Sequence, residues 1–274
     1  MEQYPPIPHV GDESAPELDG HLWLLEAVEG SLLRFQVEES GQIRFGGEQR
    51  TFSDLDDAPD QCRRAVRHVR ERLNRDALRR AVDDVTALTF VGWATHRDRI
   101  DYDWARLPPF LGFDVRIGGE SRPPDAVEAI FDQLGLDPAN AVAREVNSRD
   151  FDPGDYTQPA SEWYDGPAAG VVIRDKRGGC ARLGNSGISS QYSSIVAEDA
   201  AELAATVGTD RRFQRAANRL RTGGQSPTVA DLSERVLDDV FREEHGRLFE
   251  DGRDIDREEL RAAVAGRAQR FLHG

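Results

Sequence analysis

Lys176 is the sole lysine of this 274-residue chain, all but one of its 35 lysine and arginine residues being arginine. An amine nucleophile needs a lysine that can shed its proton, so any covalent lysyl chemistry would have to start at Lys176. The residue sits in a glycine-rich turn, "RDKRGG", where its plain reading is a group facing phosphate or solvent. Arg34, Arg50, Arg174 and Arg182 lie on or beside β-like runs, and a guanidinium fork fits a phosphate well. The stretch "THRDRIDYD" gathers His96, Asp98, Asp101 and Asp103. These types serve as metal ligands or acid–base groups and equally make a polar connection between strands. His245, in "REEHGRL", reads as a surface histidine on a helix. Between Arg63 and Arg80 arginines crowd into "RRAVRHVRERLNRDALRR". They either track a phosphate backbone or pair with nearby acids in a surface network.

The elements that must hold these residues follow from periodicity. Residues 1–20 are rich in Pro, Asp and Glu and read as a loop leading in. From "HLWLLEAVEG" to "QIRFGG", apolar runs alternate with turn signals at Glu29-Gly30, Glu39-Ser40-Gly41 and Gly46-Gly47, which predicts two or three antiparallel strands in tight hairpins. "DAPDQCRRAVRHVRERLNRDALRRAVDDV" has helical spacing, with Asp60 as a candidate cap. "ALTFVGWA" and "FLGFDVRI" are strands on either side of a polar loop, and "PPDAVEAIFDQLGL" is a helix with a proline start and a stop at Gly135. "AAGVVIRD" and "GCARLGN" form a hairpin around Arg177-Gly178-Gly179. Beyond Val196 only helical periodicity remains. The expected organisation is an N-terminal loop over 1–20, a core over 21–196 and a small all-helical domain over 197–274, in the α+β class with an antiparallel sheet.

Composition limits what surrounds such a core. Fifty acidic against 35 basic residues give a formal charge of −15, and hydrophobic residues make up 38%, below the usual share of about 45–50%. An acidic surface with arginine in place of lysine is expected of a protein from a high-salt cytoplasm, a halophilic composition in which carboxylates keep the chain hydrated. At about 1 M salt the screening length falls to about 3 Å, so the charge says little about nucleic-acid partners. No run approaches the roughly 20 apolar residues that span a bilayer, and the opening "MEQYPPIPHVGDES" has neither a basic nor an apolar region. The reading is soluble and cytoplasmic, with no membrane partner. Cys62 and Cys180 stand far apart without a CxxC pair, which argues against disulfides and a cysteine zinc site.

Taken in order, "EAVEG" (26–30) followed by "SLLRF", "IRFGGEQR" (43–50), "VGWATHRDRIDYD" (91–103) running into "PFLGFDV" (109–115), "AAGVVIRDK" (168–176) and "CARLGN" (180–185) resemble the motif series of the ATP-dependent RNA ligase family in the covalent nucleotidyltransferase superfamily. The resemblance covers most of residues 20–185. It implies a nucleotidyltransferase core, ATP-grasp-like in the manner of a ligase adenylation domain, followed by a helical C-terminal domain. In that family a lysine in E-K-x-D-G attacks the α-phosphate of ATP and the adenylate then passes to a 5′-phosphate end.

Here the lysine position is Ala27, the glutamate of the G-E loop is Trp93, that of the E-G-x-V strand is Ala169, and the last-strand lysine is Arg182. A methyl group is no nucleophile, and the double loss of glutamate removes metal and ribose contacts, so no catalytic set and no metal ligand set is intact. What the resemblance leaves is a nucleotide- or phosphate-binding set of Glu29, Gly30, Arg34, Arg50, Phe113, Arg174, Lys176 and Arg182. Phe113 is either a base-stacking ring or a core phenylalanine.

Three functions remain open. The first is a degenerate RNA-ligase-like pseudoenzyme that binds RNA ends or ATP or another nucleotide, with Mg doubtful, and does not self-adenylate. The second is an active RNA ligase or end-joining enzyme that uses pre-adenylated RNA or an unconventional nucleophile. The third is a non-catalytic scaffold with a protein partner. A cleft lined by Arg34, Arg174 and Arg182 favours the first two; an apolar floor favours the third.

Overall fold

The computed structural model describes residues 1–48, 50–189, 193–249 and 255–273. The chain divides into two compact units, Met1–Thr95 with Ile100–Ser189, and His96–Arg99 with Ser190–Gly274. Among the described residues no helix is long and apolar enough to cross a membrane.

The first unit is a pair of antiparallel sheets with helices. In chain order its elements are β1 (His21–Ala27), β2 (Gly30–Val37), β3 (Ile43–Gly46), β4 (Thr51–Phe52), α1 (Asp60–Arg72), α2 (Arg75–Ala81), β5 (Leu88–Thr95), β6 (Phe110–Ile117), β7 (Glu120–Ser121), α3 (Pro124–Gln133), β8 (Ala141–Asn147), β9 (Gly170–Arg174) and β10 (Cys180–Gly184). The four-stranded sheet runs β10-β9-β1-β8 and the six-stranded one β4-β3-β2-β5-β6-β7. Period-two alternation sorts each strand between layers. Leu22 and Leu24 of β1 join Val171 and Ile173 on one face, while Trp23 and Leu25 face the opposite way, toward Val91, Trp93, Leu111 and Phe113. Leu33, Phe35, Phe90 and Phe110 pack under α1 and α3 through Ala65, Val66, Val69 and Phe131.

Sequence and structure agree on the antiparallel sheet with helices, on β5, β6 and α3, and on the β9–β10 hairpin. They part at Glu29-Gly30. β1 and β2 are not a hairpin: the chain leaves one sheet and enters the other there. Gly30 is required by close approach, since a Cβ would lie 2.5 Å from the Ala94 carbonyl oxygen. Asp60 is the first residue of α1 rather than its cap; Pro59 takes the cap position without a side-chain hydrogen bond. β8, which sequence periodicity passed over, pairs with β1 from His21–Asn147 to Leu25–Ala141 through a bulge. Glu145 sits in that bulge with φ of 56°, a left-handed conformation uncommon outside glycine. Cys62 and Cys180 are both free thiols, and burial pushes each up to about 12.

Residues 1–10 are more than an entry loop. His9 bridges Arg182 in parallel, with Val10 N–H donating to the Arg182 carbonyl at 2.9 Å and Arg182 N–H to that of Pro8 at 2.8 Å. The segment thus adds to β10, and Tyr4 and Ile7 pack into the layer between the sheets.

The second unit has the helices α4 (Ala200–Val207), α5 (Asp210–Thr222), α6 (Val229–Glu243), α7 (His245–Phe249) and α8 (Arg257–His273). Asp199, Thr209 and Thr228 cap the first three by accepting from Glu202, Arg212 and Asp231 N–H. Leu203, Phe213, Leu220, Leu232, Val236, Val240, Leu260 and Val264 form its core. Along the α5–α6 seam, Arg212 pairs with Glu243 at 3.0 Å and Glu244 at 2.6 Å, and Arg219 with Asp239 at 2.6 Å. Burial, and then neighbouring Asp239, raise the Glu243 carboxyl.

Candidate functional site

Four of the positions singled out from the sequence come together, and what they build is apolar. Ala27 ends β1, Trp93 lies on β5, Phe113 on β6 and Ala169 just before β9; Trp93 and Phe113 share a buried cluster with Trp23, Leu25, Tyr102 and Val172, and the partly buried Ala27, Ala169 and Tyr4 pack against it. Trp93 stacks on Phe113 at 4.2 Å and 26°, and Tyr4 meets Phe113 edge-on at 5.8 Å and 81°. Beside them a gap lined by Trp23, Leu25, Phe113, Ala139 and Arg174 measures about 10 Å³, at the lower limit for a single water.

The charged candidates are scattered around this cluster. Arg174 is fully buried: its Nη2 donates to Asp114 Oδ1 at 2.7 Å and to the Arg122 carbonyl at 3.1 Å, and its Nη1 to the Phe113 carbonyl. Ser121 Oγ donates to the other Asp114 oxygen at 2.7 Å. Arg50 is exposed and donates to the Asp57 carbonyl at 2.9 Å. Arg182 is exposed on β10, its backbone joined to residues 8–10. Glu29 is buried, its carboxylate accepting from Ile100 N–H at 2.9 Å and its own N–H donating to Tyr102 Oη at 3.0 Å. Its neighbour Glu26, not among the residues singled out from sequence, is 1% exposed and accepts from Asn140 Nδ2 (2.9 Å), Ser161 Oγ (2.5 Å) and Glu162 N–H (3.2 Å).

Lys176 lies in the turn after β9, ion-paired with Glu145 at 2.7 Å. That hydrogen bond raises the pKa of the ammonium, the opposite of what an amine nucleophile requires. The same carboxylate accepts from Trp23 Nε1 at 2.9 Å.

No family model matches the chain, and no curated protein does. It is similar to solved RNA ligases. An archaeal ATP-dependent RNA ligase shares 15% identity over all of this chain and 65% of that one, with a TM-score of 0.45. A Naegleria gruberi RNA ligase variant with ATP and Mn shares 11% over 61% of this chain and 50% of that one, with a TM-score of 0.46. The chain therefore spans less than two thirds of the length of the ligases it is compared with.

Arg34 stands apart from the other cationic residues. It is 1% exposed and lies against Gly46, where a Cβ would come within 2.8 Å of its Nε. Among the described residues neither its Nε nor its Nη1 has a hydrogen-bond acceptor, and burial lowers its pKa. It lines a cavity of about 20 Å³ with Glu2, Tyr4, Thr89 and Arg116. Two arginines of α1 are otherwise engaged: Arg63 donates to the Leu55 carbonyl at 2.9 Å and to Asp56, and Arg70 donates to the Ser53 carbonyl and lies over the Phe45 ring.

Tyr4 gives this region a pH signature. Burial raises its phenol well above 10.0, with Cys180 and Asp114 adding. Because the folded value lies above the unfolded one, the seat of Tyr4 contributes stability that is complete below the unfolded pKa and lost as pH rises through the folded value. In an absorbance titration of the tyrosinate band, Tyr4 is expected to ionise only as the fold is lost, and Tyr4→Phe to remove that component. A Tyr4 that titrates at its ordinary value in the folded chain would show an open, hydrated seat.

Proposed function

We propose that the chain is a non-catalytic, RNA-ligase-like protein: a nucleotidyltransferase-type sheet pair without self-adenylation, which works by holding a partner. The observation that carries this reading is the packing of Ala27, Trp93, Phe113 and Ala169 with Trp23 and Tyr4 into one apolar layer. The adjoining gap of about 10 Å³ has no room for a base or a ribose. The state of Lys176 supports it as well, since its pairing with Glu145 favours the protonated amine.

A second reading, binding of a nucleotide or 5′-phosphate RNA end without covalent chemistry, is favoured by Arg34. A buried guanidinium short of acceptors is costly, and an anionic ligand that displaces residues 1–10 would supply them. The acidic, arginine-rich composition supports a high-salt cytoplasm as the setting.

The test is incubation of the full chain in high salt with labelled ATP or GTP and magnesium, followed by denaturing electrophoresis, alongside pre-adenylated RNA. The expected result is no covalent label and no sealed product. A label abolished by Lys176→Arg would establish an unconventional nucleophile. Equilibrium binding of ATP or 5′-phosphorylated RNA that disappears in Arg34→Met would decide for the second reading.

A further inference from the structure

The second unit brings together two imidazoles and a carboxylate that are remote in sequence. His96 and Asp98 come from the four residues that follow β5, and His245 from the start of α7. His96 Nδ1 lies 3.2 Å from Asp98 Oδ1, and His245 Nδ1 lies 3.5 Å from the same oxygen. The two ring centroids lie 4.4 Å apart with the planes tilted by 48°, and one ligand atom from each of the three residues falls within 4.8 Å of the others.

We propose that His96, Asp98 and His245 bind one zinc-class divalent cation, with water in the fourth position. Bonds of about 2.0–2.2 Å to nitrogen and oxygen give a tetrahedron whose edges are about 3.3–3.6 Å; the His245–Asp98 separation of 3.5 Å falls within that range and the His96–Asp98 separation of 3.2 Å just below it. Two neutral imidazoles and one carboxylate suit zinc, cobalt or nickel, and a three-ligand set leaves an open coordination position. The exposure of the side chains fits that arrangement, 5% for His96, 22% for His245 and 47% for Asp98, so the site is walled by protein on one side and open to water at the carboxylate.

The ligands are held on a fixed backbone. Arg97 N–H donates to the Arg242 carbonyl and Gly246 N–H to the Arg97 carbonyl, each at 2.8 Å. These two bonds clamp residue 97, between the two loop ligands, to the segment on either side of His245. Two nearby arginines face Glu244, Arg97 at 3.8 Å and Arg247 at 2.9 Å. Phe249 flanks the His245 ring at 5.3 Å, an apolar wall that strengthens coordination by keeping water off that side. The cation would tether the 96–99 excursion to the α6–α7 junction inside this unit.

The full chain, freed of any histidine tag and stripped with chelator, is titrated with Co²⁺ near neutral pH in high salt. The expected result is the visible absorption of four-coordinate cobalt, saturating at one equivalent and discharged by Zn²⁺. His245→Ala and, as a near-isosteric change at a half-exposed side chain, Asp98→Asn are each expected to weaken binding at least about tenfold, whereas His273→Ala at an exposed position of α8 leaves it unchanged. Absence of the band, or its persistence in Asp98→Asn and His245→Ala with the fold intact by circular dichroism, would overturn the assignment.

Discussion

Asp114→Ala is expected to lower the stability of the sheet-containing unit by about 3–5 kcal/mol, the usual consequence of stripping one partner from a buried ion pair. Asp114 and Arg174 are 0% and 1% exposed, and their closest atoms lie 2.7 Å apart. Removing the carboxylate leaves a guanidinium in the core and a Ser121 hydroxyl without its acceptor. Denaturant unfolding followed by tryptophan fluorescence would measure the loss. The double variant Asp114→Leu with Arg174→Met is the sharper test. Replacing both members by apolar groups of similar size removes the uncompensated charge, and stability should return to within about 1 kcal/mol of the parent or exceed it. A single variant as stable as the parent would mean that Arg174 finds other acceptors or water, and would restore it as a residue available to a ligand phosphate.

Glu26→Ala is expected to cost about 2–4 kcal/mol, because one buried carboxylate satisfies three donors from two parts of the chain: Asn140 before β8, and the Ser161 hydroxyl with the adjacent Glu162 backbone. Glu26→Gln keeps an acceptor oxygen and should lose about half as much. The same unfolding measurement checks both. Equal losses for the two variants would show that charge, rather than the number of acceptors, holds this corner together.

What the sequence disclosed and what it withheld have physical reasons. β5, β6, β9 and β10 were legible because their apolar and β-branched residues cluster between turn signals, and α3 because proline opens it and Gly135 closes it. β8, "AVAREVN", was not, since one of its ends is exposed and its bulge breaks the alternation. The fate of Arg174 was hidden because its partner is 60 residues away, and only the topology brings them together. His245 carried no local cue for the same reason: its neighbours in space, His96 and Asp98, lie far back in the sequence between β5 and β6. Tyr4 and Ile7 sit among prolines and acids, so nothing in their spacing indicated that they fill the layer between the sheets. Ala27, Trp93 and Ala169 were legible as apolar residues from the sequence, and they lie together in the layer between the sheets.

The pairing of β1 between β8 and β9 sets an order of events during synthesis. β1 is made before both of its partners, which lie at Ala141–Asn147 and Gly170–Arg174. At about 5–20 residues per second, a ribosome needs roughly 7–30 s to deliver the second of them. Throughout that interval "HLWLLEA" is an apolar strand with two open edges, while β2 can already close onto β3. A segment that would profit from a holdase on the nascent chain is therefore one that ends as an interior strand of the finished sheet.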